Sequence, residues 1–245
     1  MKTPQLSNFV SIDSIYGTFI VNRYCHYQAE SLIKTGKTHI ESELEKIFSF
    51  IDRLPNNSII IDGGTNIGFF SIPVAQRVKE KNSKVIGFEP QRMIFNAISG
   101  SIALNDLDNC FVYNMGLSET SGNAQLPNID YSKDYDFGTI SINSSIIQIS
   151  KDYLDDKIIQ TISIDELQLP RLDFIKLDIE GHEDCAISGG INTIIKYRPI
   201  LWVEYSLTGL DKIVNQFRNI PGYSFRIMDP QNMILIPVES ENILI

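Results

Sequence analysis

Five short apolar runs, rich in β-branched residues and ending at or beside a polar or acidic residue, are separated by longer mixed segments: Ser58 to Asp62, Lys84 to Glu89, Cys110 to Asn114, Phe174 to Asp178 and Ile200 to Glu204. Runs that stay apolar on both faces are the mark of parallel strands covered by crossover helices, so this pattern specifies an α/β chain. The helical segments between the runs are Gly68 to Lys79, Arg92 to Asn105 and Glu183 to Lys196, with apolar residues at three- and four-residue spacing. The strand ends matter most, because open α/β sheets take their ligands outside the carboxyl ends of the strands.

Leu210 to Arg218 reads as a further helix, and Ser224 to Met228 and Met233 to Pro237, joined by Asp229-Pro230-Gln231-Asn232, read as a closing hairpin. Ile40 to Leu54 is an amphipathic helix expected to cover the sheet. Residues 1–56 are therefore expected to be a cover of strand and helices packed on a catalytic unit of residues 57–245. The polar, tyrosine-bearing stretch Pro127 to Asp156 interrupts the alternation and reads as a lid or an irregular excursion on the acceptor side, with Tyr131 and Tyr135 available to stack on a sugar.

With 245 residues, 43% of them hydrophobic, the chain can bury one sizeable core. Its formal charge of −9 has the wrong sign for a protein held on a polynucleotide by phosphate contacts. Cys25, Cys110 and Cys185 are odd in number and outside any C-x-x-C spacing, which suits a reducing cytosol and argues against a disulfide or zinc scaffold. The first residues lack the apolar stretch of a signal peptide and no run has the length of a membrane span, so the expectation is a cytoplasmic protein without one.

Three segments carry chemistry. In Ile59-Ile60-Ile61-Asp62-Gly63-Gly64-Thr65-Asn66-Ile67-Gly68, an apolar strand meets a glycine turn and a helix start. Gly63, Gly64 and Gly68 leave room for backbone to approach a nucleotide-like ligand, with Asp62 and Asn66 beside a helix N-terminus; a tight turn without a ligand is the alternative. G-x-G-x-x-G is absent and no Gly-Lys-Ser/Thr follows, which counts against a dinucleotide or a triphosphate. The second segment ends in Glu89-Pro90, about 20 residues beyond Gly68, where a carboxylate accepts ribose hydroxyls or, alternatively, caps the next helix. A ligand with a ribose and no pyrophosphate satisfies both segments, and S-adenosylmethionine has that shape. In the third, Lys176, Asp178 and Glu180 share the strand face opposite Ile175, Leu177 and Ile179. A lysine inside a covered strand needs a carboxylate partner such as Asp178 or Glu204, and Asp178, Glu180 and His182 also offer ligands of the type that Mg²⁺ or Mn²⁺ takes; a structural ion pair before an acid-rich helix start, with His182 an ordinary polar turn residue, is the alternative.

In their order, these segments resemble the FkbM family of S-adenosylmethionine-dependent methyltransferases. The likeness runs from about Gly17 to Glu204 and rests on Asp62-Gly63-Gly64-Thr65-Asn66-Ile67-Gly68, Glu89-Pro90, Ile175-Lys176-Leu177-Asp178-Ile179-Glu180-Gly181-His182-Glu183 and Pro199-Ile200-Leu201-Trp202-Val203-Glu204. The resemblance implies a class I methyltransferase sheet, Rossmann-like and doubly wound, of seven strands with an antiparallel final hairpin. It also implies methyl transfer from S-adenosylmethionine to a hydroxyl oxygen of a sugar, glycan or small metabolite. Asp62, Gly63, Gly64, Asn66, Gly68, Glu89 and Pro90 are then the cofactor residues, and the family's adenine-contacting stretch falls at Asn114 to Ser118, which includes Gly116.

Transfer to a hydroxyl needs alignment and a route for the proton. Asp178 is the first candidate for base or metal ligand, Glu180 and Glu204 the next, and Lys176 the residue that orients them. A divalent metal held by Asp178, Glu180 and Glu204 is the other way to activate the hydroxyl. The competing classes are a nucleotide-binding oxidoreductase and a non-catalytic methyltransferase-like binding module. Asp178-Ile179-Glu180-Gly181 stands where an amino-methyltransferase of nucleic acids carries Asn/Asp-Pro-Pro-Tyr/Phe.

Overall fold

The computed structural model describes residues 7–142, 157–218 and 220–240. Its centre is a seven-stranded sheet in which β3 (Ile59–Gly63), β4 (Lys84–Phe88), β5 (Cys110–Tyr113), β9 (Phe174–Leu177) and β10 (Ile200–Glu204) run parallel in the order β5-β4-β3-β9-β10. Two antiparallel strands, β12 (Asn232–Pro237) and then β11 (Tyr223–Ile227), complete the edge next to β10. The order reverses between β3 and β9, the switch point at which such sheets hold a ligand.

Strand alternation divides the core. Ile60, Val85, Phe174, Ile200, Trp202 and Ile234 pack on one face, and Ile59, Ile61, Ile175, Leu177, Leu201 and Leu235 on the other. The first face is closed by α3 (Ser71–Val78), by α4 (Arg92–Leu104) and by residues from the N-terminal segment: Phe19 and Val21 of a hairpin, β1 (Phe9–Ser14) with β2 (Gly17–Asn22), then Leu32 of α1 (His26–Thr35) and Leu44, Ile47 and Ile51 of α2 (Glu41–Ile51). The hairpin is tied to α4, where Ser101 Oγ accepts the Ile20 N–H at 2.8 Å and Asn105 Oδ1 the Thr18 N–H at 2.9 Å. The second face is covered by α5 (Glu183–Ser188), α6 (Ile191–Tyr197) and α7 (Leu210–Phe217).

Two features differ from the sequence expectation. The helix expected over Glu183 to Lys196 is two helices, α5 and α6, parted at Gly189-Gly190. A Cβ on Gly189 would strike the Ser118 carbonyl, and the Gly189 carbonyl accepts the Asp165 N–H at 2.8 Å, so close backbone approach breaks the helix. A small sheet in the order β6 (Met115–Leu117), β8 (Ile158–Ile162), β7 (Gly122–Gln125) brackets the polar stretch, and its strands are too short to show a period. Of that stretch, residues 143–156 lie outside the described residues. No helix among the described residues is long and apolar enough to cross a membrane.

Candidate active site

The carboxyl ends of β3, β4 and β9 open on a cavity of about 170 Å³. At the end of β3, Asp62 is fully buried; its Oδ2 accepts the Ser71 hydroxyl at 2.5 Å and its Oδ1 has no partner among the described residues. Burial pushes this carboxyl up to about 6, against the pull of the Lys176 ammonium. Gly64 then turns the chain at φ +80°, and a Cβ there would run into the Asp178 carbonyl oxygen. Gly63 lies between Leu177 and Leu117, and Gly68 against Ile98. All three glycines thus serve the approach of chain to chain, and of them only Gly64 borders the cavity.

Glu89, just past β4, is 3% exposed and borders the cavity with Pro90 and Gly116. Its Oε2 accepts the Asn66 N–H at 2.9 Å and its Oε1 the Gln91 N–H at 2.8 Å. Burial raises it to about 7 although both bonds favour the charged form. The Asn114 amide donates to the carbonyls of Glu89 at 2.8 Å and Pro90 at 3.0 Å, fixing the turn that carries the acid. Each Glu89 oxygen keeps a lone pair for a ligand hydroxyl.

At the end of β9, the Lys176 ammonium is 2.9 Å from Asp178 Oδ2, with 5% of the lysine side chain exposed and 40% of the aspartate's. Burial alone would lower the Lys176 pKa; Asp178, Asp62 and Glu43 outweigh it and the lysine stays charged. Burial works to raise Asp178, but the Lys176 charge, followed by hydrogen bonds with Lys176 and Glu204, holds it below the ordinary carboxylate range. Glu204 moves the other way, up to about 8, by burial and then by the Asp178 charge. Glu180 is raised to about 7 by burial and then by Asp178. Asp178 is thus the most acidic of the three, with Glu180 and Glu204 shifted up beside it.

Asp178, Glu180 and Glu204 each place a carboxylate oxygen within 4.8 Å of the others'. Three oxygen donors in that compass fit a hard divalent cation. His182, which strand spacing places with them, lies elsewhere: β9 stops at Leu177, Glu180 (φ +56°) and Gly181 (φ +89°) reverse the chain, and His182 Nε2 sits 3.1 Å from Ser118 Oγ. Glu183 holds this reversal, its Oε1 accepting the N–H groups of Ile179 at 2.8 Å and Gly181 at 3.3 Å.

Among the predicted residues, Gly64, Asn66, Glu89, Pro90, Gly116, Lys176, Asp178 and Glu180 border the cavity, while Asp62, Gly63 and Gly68 lie behind its wall and Glu204 joins through Asp178. The sequence reading missed Gln28, His39 and Ile40 from the N-terminal segment, and Gln91. It placed the polar stretch beside the site, and Asp136, Gly138, Thr139, Ile140 and Ile142 do border the cavity. Tyr131 and Tyr135 do not: Tyr131 packs against Phe9 and Phe137, and Tyr135 is 51% exposed.

The profile of the methyltransferase FkbM domain matches residues 62–226. Methyltransferase sdnD of Sordaria araneosa is 27% identical over 166 residues, 54% of this chain and 60% of that protein. A methyltransferase FkbM crystal structure from Methylobacillus flagellatus KT superposes with a TM-score of 0.52 at 18% identity, over 88% of this chain and 55% of that one. The METTL16 MTase domain gives 0.50 at 12% identity, over 92% and 84%. At such identities the structural likeness concerns the fold, and the chain covers little more than half the length of the first two proteins.

Proposed function

This chain belongs to the FkbM methyltransferase family, and from that premise we propose that it transfers a methyl group from S-adenosylmethionine to a hydroxyl oxygen of a sugar, glycan or small metabolite. The observation that carries the reading is the Asp178 carboxylate, 2.9 Å from the buried Lys176 ammonium, on the wall of the cavity that Gly64 and Glu89 also border.

S-adenosylmethionine supplies an electrophilic methyl carbon on a sulfonium. Glu89, buried yet open to the cavity, suits the ribose hydroxyls, with Asn66 and Gly116 on the same wall. Asp178 accepts the acceptor hydroxyl's proton as its oxygen attacks the methyl carbon, while the carbon–sulfur electron pair returns to sulfur. Lys176 keeps the Asp178 carboxylate in place, and Glu204 hydrogen-bonds to it from the neighbouring strand. A divalent cation on Asp178, Glu180 and Glu204 would instead lower the pKa of the hydroxyl. The acidic balance of the chain disfavours a nucleic-acid acceptor, and the three free thiols suit the cytoplasm.

Calorimetry with S-adenosylmethionine and its demethylated product tests the first half of this reading. Binding is expected, and Glu89→Ala should remove roughly 1.5 to 3 kcal/mol of it, the range for hydrogen bonds to a charged group. Undiminished affinity in that variant would overturn the ribose assignment.

A further inference from the structure

The family match begins at Asp62, yet the cavity wall also contains residues from the N-terminal segment. His39, on the connection between α1 and α2, borders the cavity together with Lys176 and Asp178. Its ring is held between aromatic neighbours, with the Tyr27 centroid at 4.4 Å and the Phe69 centroid at 5.2 Å, the latter edge-on. Its Nδ1 is buried and without a partner among the described residues. Nδ1 is thus closed off inside the protein, and the aromatic packing fixes the ring so that the edge meeting the cavity is the one left to a ligand.

We propose that His39 binds and positions the acceptor, a neutral polyhydroxyl molecule, through hydrogen bonds from its imidazole, with Asp136 as a second hydroxyl partner. The proposal rests on the O-methyl transfer reading and adds the residues that choose the acceptor. Burial lowers the His39 pKa to about 4, so at neutral pH the ring is uncharged and offers the cavity one hydrogen-bonding nitrogen, which a hydroxyl complements as donor or acceptor. Asp136 also borders the cavity, on the turn where its Oδ1 accepts the Gly138 N–H at 3.0 Å. Charge narrows the class: Asp136 and Asp178 share this wall with one ammonium, Lys176, which is already paired, and Glu89 and Glu180 add negative charge as the pH rises through about 7. A carboxylate or phosphate on the acceptor would meet like charge.

The test is saturation-transfer NMR on the full chain loaded with S-adenosylhomocysteine. The probes are the methyl glycosides of glucose, galactose, mannose and rhamnose, beside the methyl glycosides of glucuronic and galacturonic acid. At least one neutral glycoside should receive saturation, and the uronates should not. His39→Phe, which keeps the aromatic packing, should weaken the bound glycoside roughly three- to tenfold, the loss of one hydrogen bond. Its affinity for S-adenosylhomocysteine should stay within about twofold. His39→Gln, which returns a donor and an acceptor, should recover part of the loss. Equal glycoside affinity in wild type and His39→Phe overturns the proposal alone, as does equal binding of uronates or binding of no neutral glycoside. Failure of the wild type to bind S-adenosylhomocysteine overturns the methyl-transfer reading, and the proposal with it.

Discussion

Lys176 on β9 stands in register with Asp62 on β3, so a buried ammonium and a buried carboxylate face the same layer across the two central strands of the sheet. The period of two puts both on the face covered by α2, and Glu43 of that helix contributes a further negative charge to the lysine. The Phe70 ring centroid lies 5.8 Å from the ammonium on the same face. Acids from three parts of the chain therefore fix one cation, and that cation fixes Asp178 at 2.9 Å. The link between core and chemistry runs through this lysine.

Replacing Lys176 by Met keeps the side-chain volume and removes the charge, leaving Asp62, Asp178 and Glu43 without their common partner. Breaking a buried pair in this way costs about 3 to 5 kcal/mol, to be read by denaturant unfolding at pH 7. The gap to wild type should narrow as the pH falls, because the stranded acids are relieved by protonation. A loss below about 1 kcal/mol at pH 7 would show that the acids already neutralise one another without the lysine.

Stability of the ligand-free protein should fall as the pH rises from mildly acidic to mildly basic. Asp62 is raised from 3.8 to about 6, Glu89 and Glu180 from 4.5 to about 7, and Glu204 from 4.5 to about 8. Each group binds its proton more tightly when folded, so its contribution is complete below the unfolded pKa and is lost as the pH climbs through the folded one. Thermal melts at pH 5.5 and pH 8.5 check the sign: the melting temperature should be lower at the higher pH, and Glu204→Gln should flatten the slope. A melting temperature that rises over the interval would contradict the burial of these acids.

The parallel strands were legible because each is a continuous apolar run, and the closing hairpin because Asp229-Pro230 punctuates it. Asp178 as the partner of Lys176 was legible for the same kind of reason, since a charge inside a covered strand has few ways to be satisfied. His39 was not, because nothing local marks a histidine whose role comes from packing between Tyr27 and Phe69. His182 stands apart from the acids because the extended spacing ends at Leu177 and Glu180 and Gly181 leave that region. The glycines of the turn were located correctly, but their cause lies in β9 as much as in any ligand: Gly64 is small because Asp178's carbonyl is beside it.

That close approach makes Gly64→Ala a severe change. A Cβ at φ +80° is strained by itself, and here it would also collide with the Asp178 backbone and push the turn away from β9. A loss of at least about 2 kcal/mol is expected from strain and overpacking together, measured by denaturant unfolding. Gly116→Ala should be milder, since the neighbours its Cβ would meet are side-chain methyls of Ile142, Ile159 and Thr161. The two variants should separate clearly, and equal small losses would mean that the β3 turn is not tied to β9 as described.

Asp178→Asn distinguishes chemistry from scaffolding at the same residue. As the direct base, Asp178 takes the hydroxyl proton, and its amide cannot; turnover should fall about 10²- to 10⁴-fold with cofactor affinity intact, and a chelator should leave the wild-type rate unchanged. As a metal ligand with Glu180 and Glu204, its loss should be mimicked by the chelator and the chelated enzyme rescued by Mg²⁺ or Mn²⁺. A purely structural Asp178 predicts a lower melting temperature, from the lysine left without its nearest partner, and a rate close to normal in the fraction that remains folded. Burial and the Asp178 charge raise Glu180 to about 7 and Glu204 to about 8, and a cation among the three would draw all of them down, so the chelator experiment decides between the two routes. A rate that rises with pH through the range in which Glu180 and Glu204 ionise, only when metal is present, would instead place the cation at the centre of the reaction.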